Sequence, residues 1–144
     1  MNRSCTLALL LLACGGSVRA APPCLSYTSA EVSGTLVRQT FAEQPNYESI
    51  AAGDAPATYF FLKGAKPSCV AAGSNTSTEP AERNIRWFQL VLATPAAYDE
   101  LRPSLGNSIT CRGSLFHSIS GHHHSRVLLQ VDSCDLSAAG ESGR

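Results

Sequence analysis

The chain has little charge and no concentration of either sign. Charged residues make up 15% of the sequence, with eleven Lys/Arg against eleven Asp/Glu. No run of like charge and no basic amphipathic segment occurs, which excludes the electrostatic footprint that nucleic-acid binding needs and a charged membrane-surface helix. No apolar run approaches the roughly 20 residues that span a bilayer, so no transmembrane segment is expected. The chain lacks a Cys-x-x-Cys pair, which argues against a zinc-thiolate site. It lacks the Gly-x-Ser-x-Gly elbow, and Glu43, Glu48 and Asp54 sit in a turn-rich stretch where carboxylates are expected to be solvated. No catalytic constellation can be assembled from such parts, so the chain is read as non-enzymatic. No internal repeat is present.

Histidine is absent everywhere except between residues 117 and 124, where all four occur: His117, His122, His123 and His124. Imidazole both titrates near neutral pH and binds transition metals, so this segment is where the chain concentrates chemistry. Side chains alternate along an extended chain. His122 and His124 therefore share a face, His117 can join them across a hairpin, and His123 points away. This gives a candidate site for zinc or copper on His117, His122 and His124, with Asp132 a further carboxylate. The plainer reading is a hairpin whose imidazoles satisfy loop carbonyls and hydroxyls.

The N-terminus has the order of an export signal. Arg3 is followed by the short apolar stretch Leu7-Ala8-Leu9-Leu10-Leu11-Leu12-Ala13, and Val18-Arg19-Ala20 offers cleavage before Ala21. A rival box, Leu11-Leu12-Ala13-Cys14, would place a lipid anchor on Cys14 and make the protein an outer-membrane lipoprotein. Either way the expected location is periplasmic or secreted. The mature chain loses Arg3 and Arg19, keeps every acidic residue and is slightly acidic. The expected division is 1–20 signal peptide, 21–136 one domain and 137–144 a flexible tail.

Four cysteines remain after the signal: Cys24, Cys69, Cys111 and Cys134. In an oxidising compartment they read as two disulfides, for which three pairings exist. Cys24–Cys69 is the favoured pair, leaving Cys111 to Cys134. Face parity opposes the second bridge. With Leu115 opposite Leu129, Cys111 meets Ser133, unless a bulge intervenes.

Strands are expected at Glu31–Phe41, Thr58–Lys63, Asn84–Ala93, Ser108–His117 and Arg126–Asp135. Gly34 suggests a bulge or bend, and a turn is expected between Lys63 and the segment Lys66–Val70. Asn84–Ala93 is largely apolar on both faces, with Ile85, Trp87, Gln89 and Val91 on one and Arg86, Phe88, Leu90 and Leu92 on the other, as in a strand buried on both sides. Glu43–Pro56 and Ala72–Arg83 read as loops. Asn75-Thr76-Ser77 in the second is a chance match to a glycosylation acceptor. Thr94 caps and Pro95 opens a short helix ending near Arg102, before Pro103. Five strands with one short helix between the third and fourth is the layout of an OB-like, partly open barrel, mostly β. Tyr59, Phe61 and Trp87 are candidates for an OB-type ligand face, with Lys63 and Arg86 at its edge, although large apolar residues on strands usually fill a core. Tyr47 could anchor a partner or lock its loop.

Several segments together resemble one bacterial family, the domain of unknown function 4431. They are Cys24-Leu25-Ser26-Tyr27, Pro45-Asn46-Tyr47-Glu48-Ser49-Ile50, and Gly113-Ser114-Leu115-Phe116-His117 running into Gly121-His122-His123-His124-Ser125 and Val127-Leu128-Leu129. The resemblance covers most of the mature chain and implies no activity. The expectation is an exported envelope module that binds an envelope protein, a glycan or a small ligand. The alternative is a periplasmic metal-binding protein.

Overall fold

The computed structural model describes residues 23–136. The expected signal peptide, the Cys14 anchor and the tail lie outside the described residues. Five strands are present: β1 (Ala30–Ala42), β2 (Pro56–Val70), β3 (Glu82–Val91), β4 (Ser108–His117) and β5 (Val127–Leu136). One helix, α1 (Pro95–Leu101), lies between β3 and β4. Thr94 accepts a hydrogen bond from the Ala97 amide at 3.3 Å through its side chain, and Pro95 occupies the first turn. The capping signal in the sequence thus acts as expected.

The strands close into a barrel in the order β1-β2-β3-β5-β4, with β4 returning to β1. All neighbours are antiparallel except β3 and β5. This is the OB-like arrangement, closed rather than partly open. Closure leaves β1 shared by two neighbours. Ala30–Thr35 pair with β4 and Thr35–Ala42 pair with β2. Gly34 stands at that handover without a bulge. A Cβ there would lie 2.8 Å from the Lys63 carbonyl oxygen, so the absent side chain admits the neighbouring backbone.

Alternation sends one face of each strand inward. Val32, Leu36, Phe60, Leu62, Phe88, Leu90, Ile109, Leu115, Val127 and Leu129 form the buried core with Tyr27. Tyr98, Leu101 and Leu105 pack against it from the helical segment. Two details of the expected strands differ. The turn before Lys66–Val70 is absent; β2 runs on as one strand, and the extra residues are absorbed by a register shift between Lys63 and Ser68. Ile85 does not share a face with Trp87 but joins Phe88 and Leu90 in the core.

Both disulfides form. Cys24–Cys69 fastens the N-terminal segment, where Leu25 bridges Val70. Cys111–Cys134 joins β4 to β5. The parity obstacle is removed by a bulge: Arg112 faces Ser133 while Gly113 faces Val131, so Asp132 is the extra residue. That one-residue insertion turns Cys134 back toward Cys111.

Candidate functional site

The outer face of the barrel carries a second apolar layer. Val37, Phe61, Gln89, Leu128 and Phe116 form one cross-strand row. Phe61 (1% exposed), Gln89 (2%) and Leu128 (0%) are buried although they lie outside the main core cluster. The cover comes from the segment between β4 and β5, residues 118–126, which carries the histidines.

Gln89 holds that cover by backbone mimicry. Its Nε2 donates to the His122 carbonyl at 2.8 Å, and its Oε1 accepts from the His124 amide at 2.6 Å. Its own amide donates to Ser125 Oγ at 3.0 Å, whose hydroxyl donates to the Val127 carbonyl at 2.7 Å. A buried polar side chain is tolerable because its hydrogen bonds are made.

The second anchor is Glu43, just past β1 and 5% exposed. Oε1 accepts from the Tyr59 hydroxyl at 2.7 Å and meets His124 Nε2 at 3.1 Å. Oε2 lies against His122 Nδ1. Burial alone would push the Glu43 carboxyl up, but the hydrogen bonds from Tyr59 and His124 and the adjacent His122 outweigh it and hold the carboxyl below its ordinary value. Burial, then the bond to Glu43 and its charge, push the Tyr59 hydroxyl far up, so it remains a neutral donor. The His124 ring stacks on Phe41 with centroids 3.8 Å apart. Tyr47 meets His122 edge-on at 5.7 Å, so it locks its loop to the histidine segment.

The loop that carries Glu43 is itself organised by a carboxylate. Asp54, 3% exposed, accepts from the amides of Asn46 (2.9 Å), Glu48 (2.7 Å) and Ser49 (2.8 Å). The amides of Ser49, Asn46 and Glu48 hold its carboxyl below the usual range. The expectation of three solvated carboxylates is thus corrected: Glu48 is exposed, whereas Glu43 and Asp54 are buried acceptors. Unpaired, they could not be buried.

The expected trio of histidines divides. His122 and His124 share Glu43, as alternation requires. His117 instead pairs with Glu82 Oε1 at 3.0 Å, and Arg126 takes Oε2 of the same carboxylate at 3.0 Å. His123 turns away, its Nδ1 accepting from the Ile119 amide at 2.9 Å and its ring against Phe116. Burial pushes the His123 imidazole below its ordinary value, consistent with a neutral acceptor ring. Asp132 lies in the β5 bulge and lines a different groove beside α1. Among the described residues no group of three His, Cys, Asp or Glu side chains is arranged to hold a metal ion.

Between the histidine segment and β3 lies a cleft of about 620 Å³, lined by Phe41, Phe61, Trp87, Arg86, Arg126 and His124, with Gln39, Asn84, Ile85 and Ser125. Of the aromatics proposed for a ligand face, Phe61 and Trp87 line it, 6.1 Å apart edge to face. Tyr59 is held beside Glu43 instead. Of the two cations expected at its edge, Arg86 lines the cleft and Lys63 Nζ stands 5.3 Å over the indole.

Glu43, Gln89 and Glu82 escaped the sequence reading. One signal was available for the first. Strand alternation continued through Gln39 and Phe41 carries Glu43 onto the same outer face. Nothing local marks Gln89 or Glu82 as partners of a segment more than thirty residues away.

The asparagine of the glycosylation match is engaged locally, Asn75 Oδ1 accepting from the Ser77 amide at 3.2 Å. No helix among the described residues is long and apolar enough to cross a membrane. No curated protein matches the chain. Residues 88–135 match the model of the domain of unknown function 4431. The stretch runs from β3 through the histidine segment and both members of the Cys111–Cys134 bridge. The other two segments of resemblance, around Tyr27 and Tyr47, lie outside the match. Residues 88–135, about a third of the chain, are thus similar to the DUF4431 family.

Proposed function

We propose that the chain is an exported, non-enzymatic binding module of the cell envelope whose ligand occupies the cleft beside Trp87. The observation that carries this reading is the cleft itself. Its volume of about 620 Å³ falls within the range of small-ligand sites, and it lies where OB-like barrels take their ligands. Two disulfides support an oxidising compartment. Binding rather than turnover is supported by the state of Ser125, the one hydroxyl side chain lining the cleft. Its hydroxyl donates to the Val127 carbonyl and accepts from the Gln89 amide, and the neighbouring His124 ring is turned to Glu43.

Trp87 is the only tryptophan, so intrinsic fluorescence reports the cleft directly. Titrating the exported form with envelope oligosaccharides is expected to change its emission saturably. A flat response across the series would reject the cleft as the binding site. For export, mass spectrometry is expected to find Ala21 at the N-terminus, or a lipidated Cys14 in the anchored form. A retained Met1 in envelope fractions would sink the export reading.

A further inference from the structure

Cationic side chains gather beside Trp87. Arg86 and Arg126 line the cleft and no carboxylate does. Lys63 stands over the indole from outside. Glu82 offsets Arg126, which leaves Arg86 and Lys63 as the uncompensated cations beside the cleft in a chain of balanced formal charge, and a cleft with apolar walls strengthens their field toward an anion. The three cations are not equally free. Arg126 is committed to Glu82 at 3.0 Å and to the Arg83 carbonyl at 2.8 Å. Arg86 makes only a 3.4 Å contact with the Ala65 carbonyl and is exposed. Its guanidinium is therefore the available fork for a carboxylate or phosphate.

The remaining polar lining suits hydroxyl groups. Gln39 and Asn84 are exposed at the cleft, and neither side-chain amide has a hydrogen-bond partner among the described residues. An amide offers two donors and an acceptor, which a sugar hydroxyl, both donor and acceptor, can match. An apolar ring wall, free amides and a free guanidinium lie together.

We propose that the cleft takes an acidic sugar, with its ring packed against Trp87, its hydroxyls on Gln39 and Asn84, and its anion on Arg86. This names the ligand class of the binding module proposed above and rests on that reading. Nucleic acid is disfavoured because the chain has balanced charge, with eleven Lys/Arg against eleven Asp/Glu and no basic run.

The test is a fluorescence and calorimetric titration of the protein with four probes: tetragalacturonate, its neutral methyl ester, glucose 6-phosphate and uridine monophosphate. Tetragalacturonate should bind saturably, and at least about ten-fold more tightly than the ester, given the usual strength of a charge-assisted contact. Arg86→Ala should lower that affinity about ten-fold without changing the melting temperature, because the side chain is exposed. Tighter binding of glucose 6-phosphate than of the uronate would keep the acidic-sugar class and identify phosphate as its anion. Equal binding of acid and ester, or an unchanged Arg86→Ala variant, would overturn the acidic-sugar class while a Trp87 response preserves the binding module. Preference for uridine monophosphate would replace the class with a nucleotide. No response to any probe would overturn this inference, and the module reading then stands or falls on the wider oligosaccharide series.

Discussion

Gly113→Ala is expected to destabilise the protein by about 3 kcal/mol, a fall in melting temperature on the order of 10 °C. A Cβ at Gly113 would lie 1.9 Å from the carbonyl oxygen of Gln130 and 2.9 Å from its carbonyl carbon. Both are backbone atoms of the paired strand, so no rotamer change relieves the overlap. The position is also where β4 meets the bulge that restores parity between Cys111 and Cys134. Pushing the strands apart there strains the disulfide geometry and the core behind it, where Ile109, Cys111 and Leu115 are buried. Gly53→Ala is the control. Gly53 has φ 108° but nothing within 4 Å of its Cβ, so only the backbone penalty of roughly 1 kcal/mol applies. Thermal denaturation of the two variants decides the matter; equal losses would show that the close approach at Gly113 carries no special cost.

Glu43→Ala is expected to free the histidine segment from the barrel and cost about 2 kcal/mol. The substitution strips His122, His124 and Tyr59 of one shared acceptor. Hydrogen exchange should accelerate across residues 118–126 while β1 and β4 stay protected. Gln89 still holds the backbone of that segment, so loosening rather than unfolding is the expected result. Unchanged exchange in 118–126 would show that Gln89 suffices and that the carboxylate is not a tether.

The same residue sets part of the response to acid. Glu43 and Asp54 are held below ordinary values of 4.5 and 3.8. A carboxyl depressed in the fold contributes stability that is complete above its unfolded pKa and drains as pH falls through the folded one. His123, held below 6.5, acts in the same direction. Below pH 6.5 the unfolded chain takes up a proton that the folded ring resists, and stability falls. Denaturant midpoints should therefore be highest above about pH 6.5, decline first through the His123 range and fall again below about pH 4.5. In Glu43→Ala the lower step should shrink and the upper one should persist. A wild-type midpoint that rises on acidification would contradict all three assignments.

How far the chain is legible from its residues depends on the range of the interaction concerned. Alternation along Ser108–His117 and the Thr94-Pro95 signal act between near neighbours, and both elements form as the sequence implies. The same local logic places His122 and His124 on one side. Glu43 reaches them across a sequence separation of 81 residues; alternation from Phe41 carries it to the outer face, but no spacing rule says which imidazoles it meets there. The β2 segment shows the converse error. Gly64 and Pro67 resemble turn residues, yet pairing with β3 keeps the chain extended and converts the surplus into a register shift.

By itself the sequence determined the order of strands and helix and the segment where the histidines gather, because periodicity, capping and composition are written along the chain, and it favoured Cys24–Cys69 while leaving the second bridge opposed by face parity. Tertiary structure alone decided the rest. It chose which carboxylate faces which imidazole, giving Glu43 to His122 and His124 and Glu82 to His117. It also inserted Asp132 as the bulge that brings Cys134 to Cys111. Burial makes such choices, since a charge taken from water must find its partner in whatever the closed barrel brings beside it.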